Sequence, residues 1–70
     1  MKLYYINHKT TNPNGNNEVH AADCRYLPSP ENRTFLGCFS NGVEAKKAAK
    51  LKGFSKADGC IHCCSEAHTE

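Results

Sequence analysis

The alternation of apolar and polar stretches predicts three short strands and one helix. Residues 2–6 are rich in leucine, tyrosine and isoleucine, and residues 34–39 are mostly aromatic and apolar, compositions that favour β-strands. Residues 10–17 contain a proline, a glycine and four asparagines, which is typical of a turn. Residues 18–20 can therefore return antiparallel to the first strand. The sequence predicts a small antiparallel sheet of about three strands.

The third strand, residues 34–39, contains a glycine and a cysteine. Gly37 is typical of a β-bulge or of a close backbone approach. Phe35 and Phe39 are expected on one side of the strand. Cys38 is expected to pack in the core as a small hydrophobe, and a reactive thiol is the alternative.

A helix is predicted after the third strand. Asn41 can cap its first turn and Glu44 can reach back, as in a capping box. Gly53 ends the helix, and Phe54 can fold back onto the last turn in a Schellman arrangement. The expected apolar face consists of Ala45, Ala48, Ala49 and Leu51. The expected solvent face consists of Lys46, Lys47 and Lys50.

Residues 1–64 are expected to form one α+β domain, in which a C-terminal knuckle follows the helix, and residues 65–70 are expected to be a polar tail. Hydrophobic residues make up 39% of the chain and the mean hydropathy is -0.67, so the core is small. Domains of this size often need a metal or disulfides to fold.

The apolar run at the N-terminus is too short for a signal peptide, and no apolar run approaches a membrane span. We expect a soluble monomer in the cytosol. Its five cysteines then stay reduced, and an odd number cannot pair completely. Metal binding is therefore favoured, although two disulfides and a spare thiol would fit an exported protein.

Two pairs of potential metal ligands lie far apart in the chain. His20 and Cys24 enclose three residues, and Cys60 and Cys63 enclose two. This spacing is typical of a tetrahedral Zn²⁺ site. The second ring nitrogen of the histidine should find a carbonyl or carboxylate, and Glu18 and Asp23 are nearby. A set of buried, reduced thiols is the alternative.

Cys64 and His68 are close enough in sequence to compete as ligands, although spacing favours Cys63. His62 lies between two ligands and is expected to face solvent. Tyr26 could cover the metal site or stack on a base.

A net charge of +2 does not indicate a dedicated nucleic-acid binder. Basic side chains could nevertheless contact phosphates without sequence preference, and a solvated helix face is the alternative. The candidates are Lys46, Lys47, Lys50 and Arg25, with Arg33 possible nearby.

The order of motifs resembles the metal-binding domain of the Ada DNA-repair protein and the small Ada-like modules of bacterial proteins. The motifs are His20-x-x-x-Cys24-Arg25-Tyr26-Leu27, Phe39-Ser40, Glu44-Ala45, Gly53-Phe54 and Cys60-x-x-Cys63. The resemblance implies one zinc held by four residues. In the Ada repair domain, the first cysteine accepts a methyl group from a DNA phosphotriester. His20 stands at that position and supplies no thiolate for this transfer.

The sequence therefore predicts a zinc-stabilised, non-catalytic binding module that could contact nucleic acid. Two alternatives remain. One is a protein-interaction or purely structural module. The other is a thiol-based methyl acceptor or redox protein that uses Cys38 or Cys64.

Overall fold

The computed structural model describes residues 1–8 and 15–68, which form a four-stranded mixed sheet and one α-helix. The strands are β1 (Lys2–Asn7), β2 (Asn17–Ala21), β3 (Arg33–Phe39) and β4 (Ala57–Gly59), and the helix is α1 (Gly42–Leu51). Short 3₁₀ turns cover Pro30–Asn32 and Ser65–Ala67. The α+β class is confirmed. Most of the predicted turn at 10–17 lies outside the described residues.

The strand order is β3-β1-β2-β4, so the prediction of about three antiparallel strands is wrong in two respects. β1 pairs antiparallel with β2 and β3, as expected. β4 adds a fourth strand and pairs parallel with β2. Its Ala-Asp-Gly sequence has low β-propensity, so the pairing depends on tertiary contacts rather than on local preference.

A β-bulge in β3 reverses the faces predicted for its second half. Gly37 has φ +131°, and the register with β1 shifts between Tyr4 and Tyr5. Phe35 packs against Tyr5 with ring centroids 5.3 Å apart, whereas Phe39 packs against Tyr4 at 6.3 Å. Neighbouring residues of β1 face opposite sides of the sheet, so the two phenylalanines do not share a side.

The same bulge corrects the placement of Cys38. This residue pairs with the exposed Leu3 of β1 and is itself exposed. Without the extra residue, Cys38 would share the face of the buried Leu36. The prediction of a core position for Cys38 is therefore wrong.

Both predicted ends of the helix are confirmed. The side chain of Asn41 accepts a hydrogen bond from the amide of Glu44 at 3.0 Å. At the other end, Gly53 has φ +106°, and the amides of Gly53 and Phe54 donate to the carbonyls of Lys50 and Ala49. These are the two hydrogen bonds of a Schellman motif.

The core lies between α1 and one face of the sheet. Its residues are Tyr4, Ile6, Val19, Ala21, Leu36, Ala45, Ala49, Ala57, Cys64 and Ala67. Leu51 was expected on the apolar face of the helix but is 90% exposed, because it follows the last buried position, Ala49, by only two residues. Small side chains on the helix allow close approach to the sheet.

The segment after Cys64, which the sequence predicts to be a polar tail, packs against the domain as far as the described residues extend. Ala67 is buried, and the Glu66 carboxylate accepts a hydrogen bond from the Gly42 amide at 2.7 Å. Gly59 lies so close that a Cβ there would come within 2.5 Å of the Cys64 carbonyl oxygen. This contact, rather than local propensity, orders the segment; residues 69–70 lie outside the described range.

Among the described residues, no helix combines the length and apolarity needed to cross a membrane.

Candidate metal centre

Four potential metal ligands from two distant parts of the chain meet at one end of β2. One donor atom each from His20, Cys24, Cys60 and Cys63 lies within 4.8 Å of all the others. Zinc with tetrahedral ligands at about 2.0–2.3 Å keeps its donor atoms roughly 3.5–3.8 Å apart. Small movements of the side chains would therefore bring the four donor atoms to the separations of a tetrahedral zinc site. One imidazole nitrogen and three thiolate sulfurs are also ligands that zinc commonly binds.

The β-sheet fixes His20. Its side chain is almost fully buried, with 2% exposure. Its Nδ1 lies 4.0 Å from the Cys63 sulfur, and its Nε2 faces Glu18 Oε1 at 3.6 Å. Of the two expected carboxylate partners, Glu18 therefore faces this ring, whereas Asp23 pairs with Lys2 at 3.7 Å. A proton on Nε2 leaves the Nδ1 lone pair directed at the thiols.

A turn positions Cys24 just beyond the end of β2. The Cys24 amide donates to the Ala21 carbonyl at 3.0 Å, and its carbonyl accepts from the Leu27 amide at 3.1 Å. This turn allows the Cys24 thiol to approach His20, from which it is separated by three residues in the chain. Local hydrogen bonds thus build the first half of the site.

The second half, residues 60–63, is tied to β2 by backbone hydrogen bonds. The Cys60 amide donates to the Val19 carbonyl at 3.0 Å, which extends the pairing of β4 with β2. The amides of Cys63 and His62 donate to the Cys60 sulfur, and the Ala21 amide donates to the Cys63 sulfur at 3.4 Å. Amide hydrogens directed at sulfur favour the thiolate form, which is the form that binds metal.

Burial opposes ionisation of these thiols in the absence of a cation. It raises the pKa of Cys63, and hydrogen bonding in which the Cys63 thiol donates to the Cys24 side chain raises it further. Burial also raises the pKa of Cys60, against the effect of the two amides. Burial lowers the pKa of His20, which keeps the imidazole neutral, as a metal ligand must be. A divalent cation would offset the cost of burying thiolates here.

The two alternative ligands, Cys64 and His68, are not part of the four-donor cluster. The Cys64 side chain is fully buried in the core, 3.7 Å from the Cys63 sulfur, and it does not belong to the four-donor cluster. His68 Nδ1 contacts the Gly59 carbonyl at 3.1 Å and Asp58 at 3.4 Å. The structure therefore places Cys63, the residue favoured by spacing, beside the other three donors.

The predicted basic face of the helix is interrupted, because Lys46 is largely buried. Its Nζ donates to Asp58 Oδ1 at 3.0 Å and to the Ala67 carbonyl at 3.1 Å. The prediction of a solvent-facing Lys46 is wrong, and a buried ion pair between α1 and β4 was missed. The signal was present, since residues 42, 45, 46 and 49 follow the i, i+3, i+4, i+7 spacing of a buried helix stripe.

The other candidate phosphate contacts are more accessible. Lys47 pairs with Glu44 at 3.6 Å, and both side chains are well exposed. Lys50 and Arg25 are exposed. Arg33 is half-buried, stacks over Tyr5 at 4.6 Å and donates to the Pro28 carbonyl at 3.0 Å. The basic residues therefore do not form one continuous stripe.

A shallow cleft of about 420 Å³ opens onto the thiol cluster. It is lined by Lys2, Asp23, Cys24, Arg25, His62 and Cys63. His62 is exposed, as expected, and stacks on Tyr26 with ring centroids 4.3 Å apart. Tyr26 is 52% exposed, so it packs beside the site without sealing it.

Comparisons of the chain with models of known protein families, with curated proteins and with solved structures found no match.

Proposed function

We propose that the protein is a small, non-catalytic binding module whose fold is stabilised by one structural Zn²⁺. The convergence of four donor atoms within 4.8 Å carries this proposal. His20, Cys24, Cys60 and Cys63 would supply one nitrogen and three sulfurs. Such a set fills all four tetrahedral positions and leaves none open for a substrate, which is typical of structural zinc.

Residues 60–63 would then form a zinc knuckle that joins the C-terminal segment to β2. The amides directed at the Cys60 and Cys63 sulfurs support this assignment, because they would share the negative charge of bound thiolates. We further propose that the module is Ada-like in its ligand order. A nearly inaccessible imidazole at the first ligand position argues against methyl transfer to that position.

Metal stoichiometry tests the zinc site directly. The purified chain, reduced and titrated with Co²⁺, should bind one ion and develop the visible absorption of a tetrahedral site with thiolate ligands; Zn²⁺ should displace the Co²⁺. Cys64→Ser is the matched control, because it changes the neighbouring thiol outside the cluster and should keep both spectrum and stoichiometry. A spectrum lost in Cys64→Ser but retained in Cys63→Ser would contradict the ligand set.

Contact with nucleic acid is a second candidate function, favoured by the basic residues around the cleft. Lys2 and Arg25 line it beside an accessible Tyr26–His62 stack, whereas Lys46 on the helix is held by Asp58. Cations next to an exposed aromatic surface suit a phosphate backbone and its bases. This moves the expected contact surface from the helix to the cleft.

Titration with duplex and single-stranded DNA at two salt concentrations tests this candidate. Affinity should fall steeply as salt rises, and Arg25→Gln should weaken binding by roughly 3- to 10-fold if one phosphate contact is lost. Lys50→Gln removes the same charge from the exposed helix surface and should have a smaller effect. No binding at low salt, or equal losses in the two variants, would exclude the cleft as the contact surface and favour a protein partner.

A further inference from the structure

The cleft gives solvent access to one half of the metal centre. Cys24 and Cys63 line it, and both are partly buried. Cys60 and His20 lie behind them, each 2% exposed. A small solute that enters the cleft therefore meets two of the three thiols and is shielded from the third.

The two accessible sulfurs are also neighbours. The Cys24 and Cys63 sulfurs belong to the cluster whose donor atoms all lie within 4.8 Å of one another. A disulfide has an S–S length of about 2.05 Å, so these atoms must approach one another by at most roughly 3 Å. Cys24 follows a short turn, so rotation of its side chain can supply part of that movement.

Competing pairings are less accessible. Cys60 is buried and its sulfur accepts two amide hydrogen bonds, which hold it in place. Cys64 lies 3.7 Å from the Cys63 sulfur, but it is fully buried. A disulfide between adjacent residues would also strain the backbone, because their Cα atoms are only about 3.8 Å apart.

We propose that Cys24 and Cys63 form an oxidation-sensitive pair, which a small peroxide that enters the cleft converts to a disulfide with release of the bound metal. The metal-release part rests on the proposed zinc site. The pairing itself rests on the positions of the two thiols. The proposal assigns oxidation to the ligands at the cleft rather than to Cys38 or Cys64.

The chemistry requires one peroxide and no further reactant. A thiolate of the pair attacks one peroxide oxygen, an S–O bond forms, the O–O bond breaks, and hydroxide leaves. The second thiolate then attacks the sulfenic sulfur, an S–S bond forms, and a second hydroxide leaves. The two sulfurs lose two electrons in total and the peroxide gains them. Lys2 and Arg25 face the cleft, where they can stabilise the departing anions.

Peptide mapping of the oxidised full-length protein tests the pairing. The experiment uses zinc-loaded Cys38→Ser protein, because the exposed Cys38 could form disulfides between molecules. Metal content is measured first, and hydrogen peroxide is then added while a chromogenic chelator reports free zinc. We expect a Cys24–Cys63 disulfide that forms in step with zinc release, and reversal of both changes by a reductant followed by added zinc.

The outcomes separate this inference from the zinc proposal. A zinc-loaded protein that yields a Cys60–Cys63 or Cys63–Cys64 disulfide, or that keeps its zinc under peroxide, overturns the inference and leaves the zinc site intact. A protein without zinc at the outset contradicts the zinc site, and mapping of its disulfides still decides the pairing. Cys24→Ser should stop disulfide formation and leave a sulfenic acid on Cys63 that a dimedone reagent captures; if this variant does not fold, mapping of the Cys38→Ser protein decides alone.

Discussion

Replacement of Cys60 with serine is expected to leave the chain largely unfolded. Cys60 joins the four-donor cluster from a buried position and ties residues 60–63 to β2. Structural zinc contributes about 10–16 kcal/mol of apparent binding free energy in small zinc domains. Without the metal, the net free energy of folding of a domain with so small a core is near zero. Far-UV circular dichroism should therefore show loss of the helix and sheet signals in Cys60→Ser.

Chelation of the wild-type protein should have the same effect, and added zinc should restore the folded spectrum. Cys38→Ser is the matched control, because this exposed thiol lies outside the core cluster; the stability of this variant should stay within about 0.5 kcal/mol of wild type. A metal-free protein that keeps its complete folded spectrum would falsify the structural role of the metal.

Asp58→Asn is expected to lower the free energy of unfolding by about 3 kcal/mol in the zinc-loaded protein. The side chains of Asp58 and Lys46 are 5% and 15% exposed, and their charged atoms lie 3.0 Å apart. The asparagine removes the negative charge but leaves the lysine ammonium largely out of water. Urea denaturation followed by circular dichroism measures the loss.

Two further variants identify the cause of that loss. Glu44→Gln makes the same charge change in an exposed pair with Lys47 and should cost only about 0.5 kcal/mol. Lys46→Met combined with Asp58→Asn removes both charges and should recover part of the stability lost in the single variant. Equal stability of Asp58→Asn and Glu44→Gln would show that the buried pair is unimportant.

Features set by neighbouring residues were predictable from the sequence. Asn41 capping, the Schellman end at Gly53 and the bulge at Gly37 each depend on the conformational preferences of one or two residues. The ligand spacing of each half-site is equally local, because three or two intervening residues are enough to turn the chain back. The sequence therefore predicted the four residues that the structure brings together.

Lys46 and Cys38 were predicted wrongly because both predictions relied on the average preference of the residue type. Lysine is usually exposed, but Lys46 lies on the buried stripe and meets Asp58 from a strand twelve residues later. Cys38 has apolar neighbours, but the bulge turns it outward. A contact distant in sequence buries Lys46, although lysine is usually exposed. A register shift exposes Cys38, although its neighbours in the strand are apolar.

The sequence by itself determined the α+β class, the ends of the helix and the two halves of the candidate metal site, because each follows from short-range geometry. Only the tertiary structure decided that β4 joins β2 in parallel, which carries Cys60 to the end of β2 beside His20. It also decided that Cys63 lies with the other ligands while Cys64 packs in the core. These outcomes depend on the packing of distant segments, which local propensities do not encode.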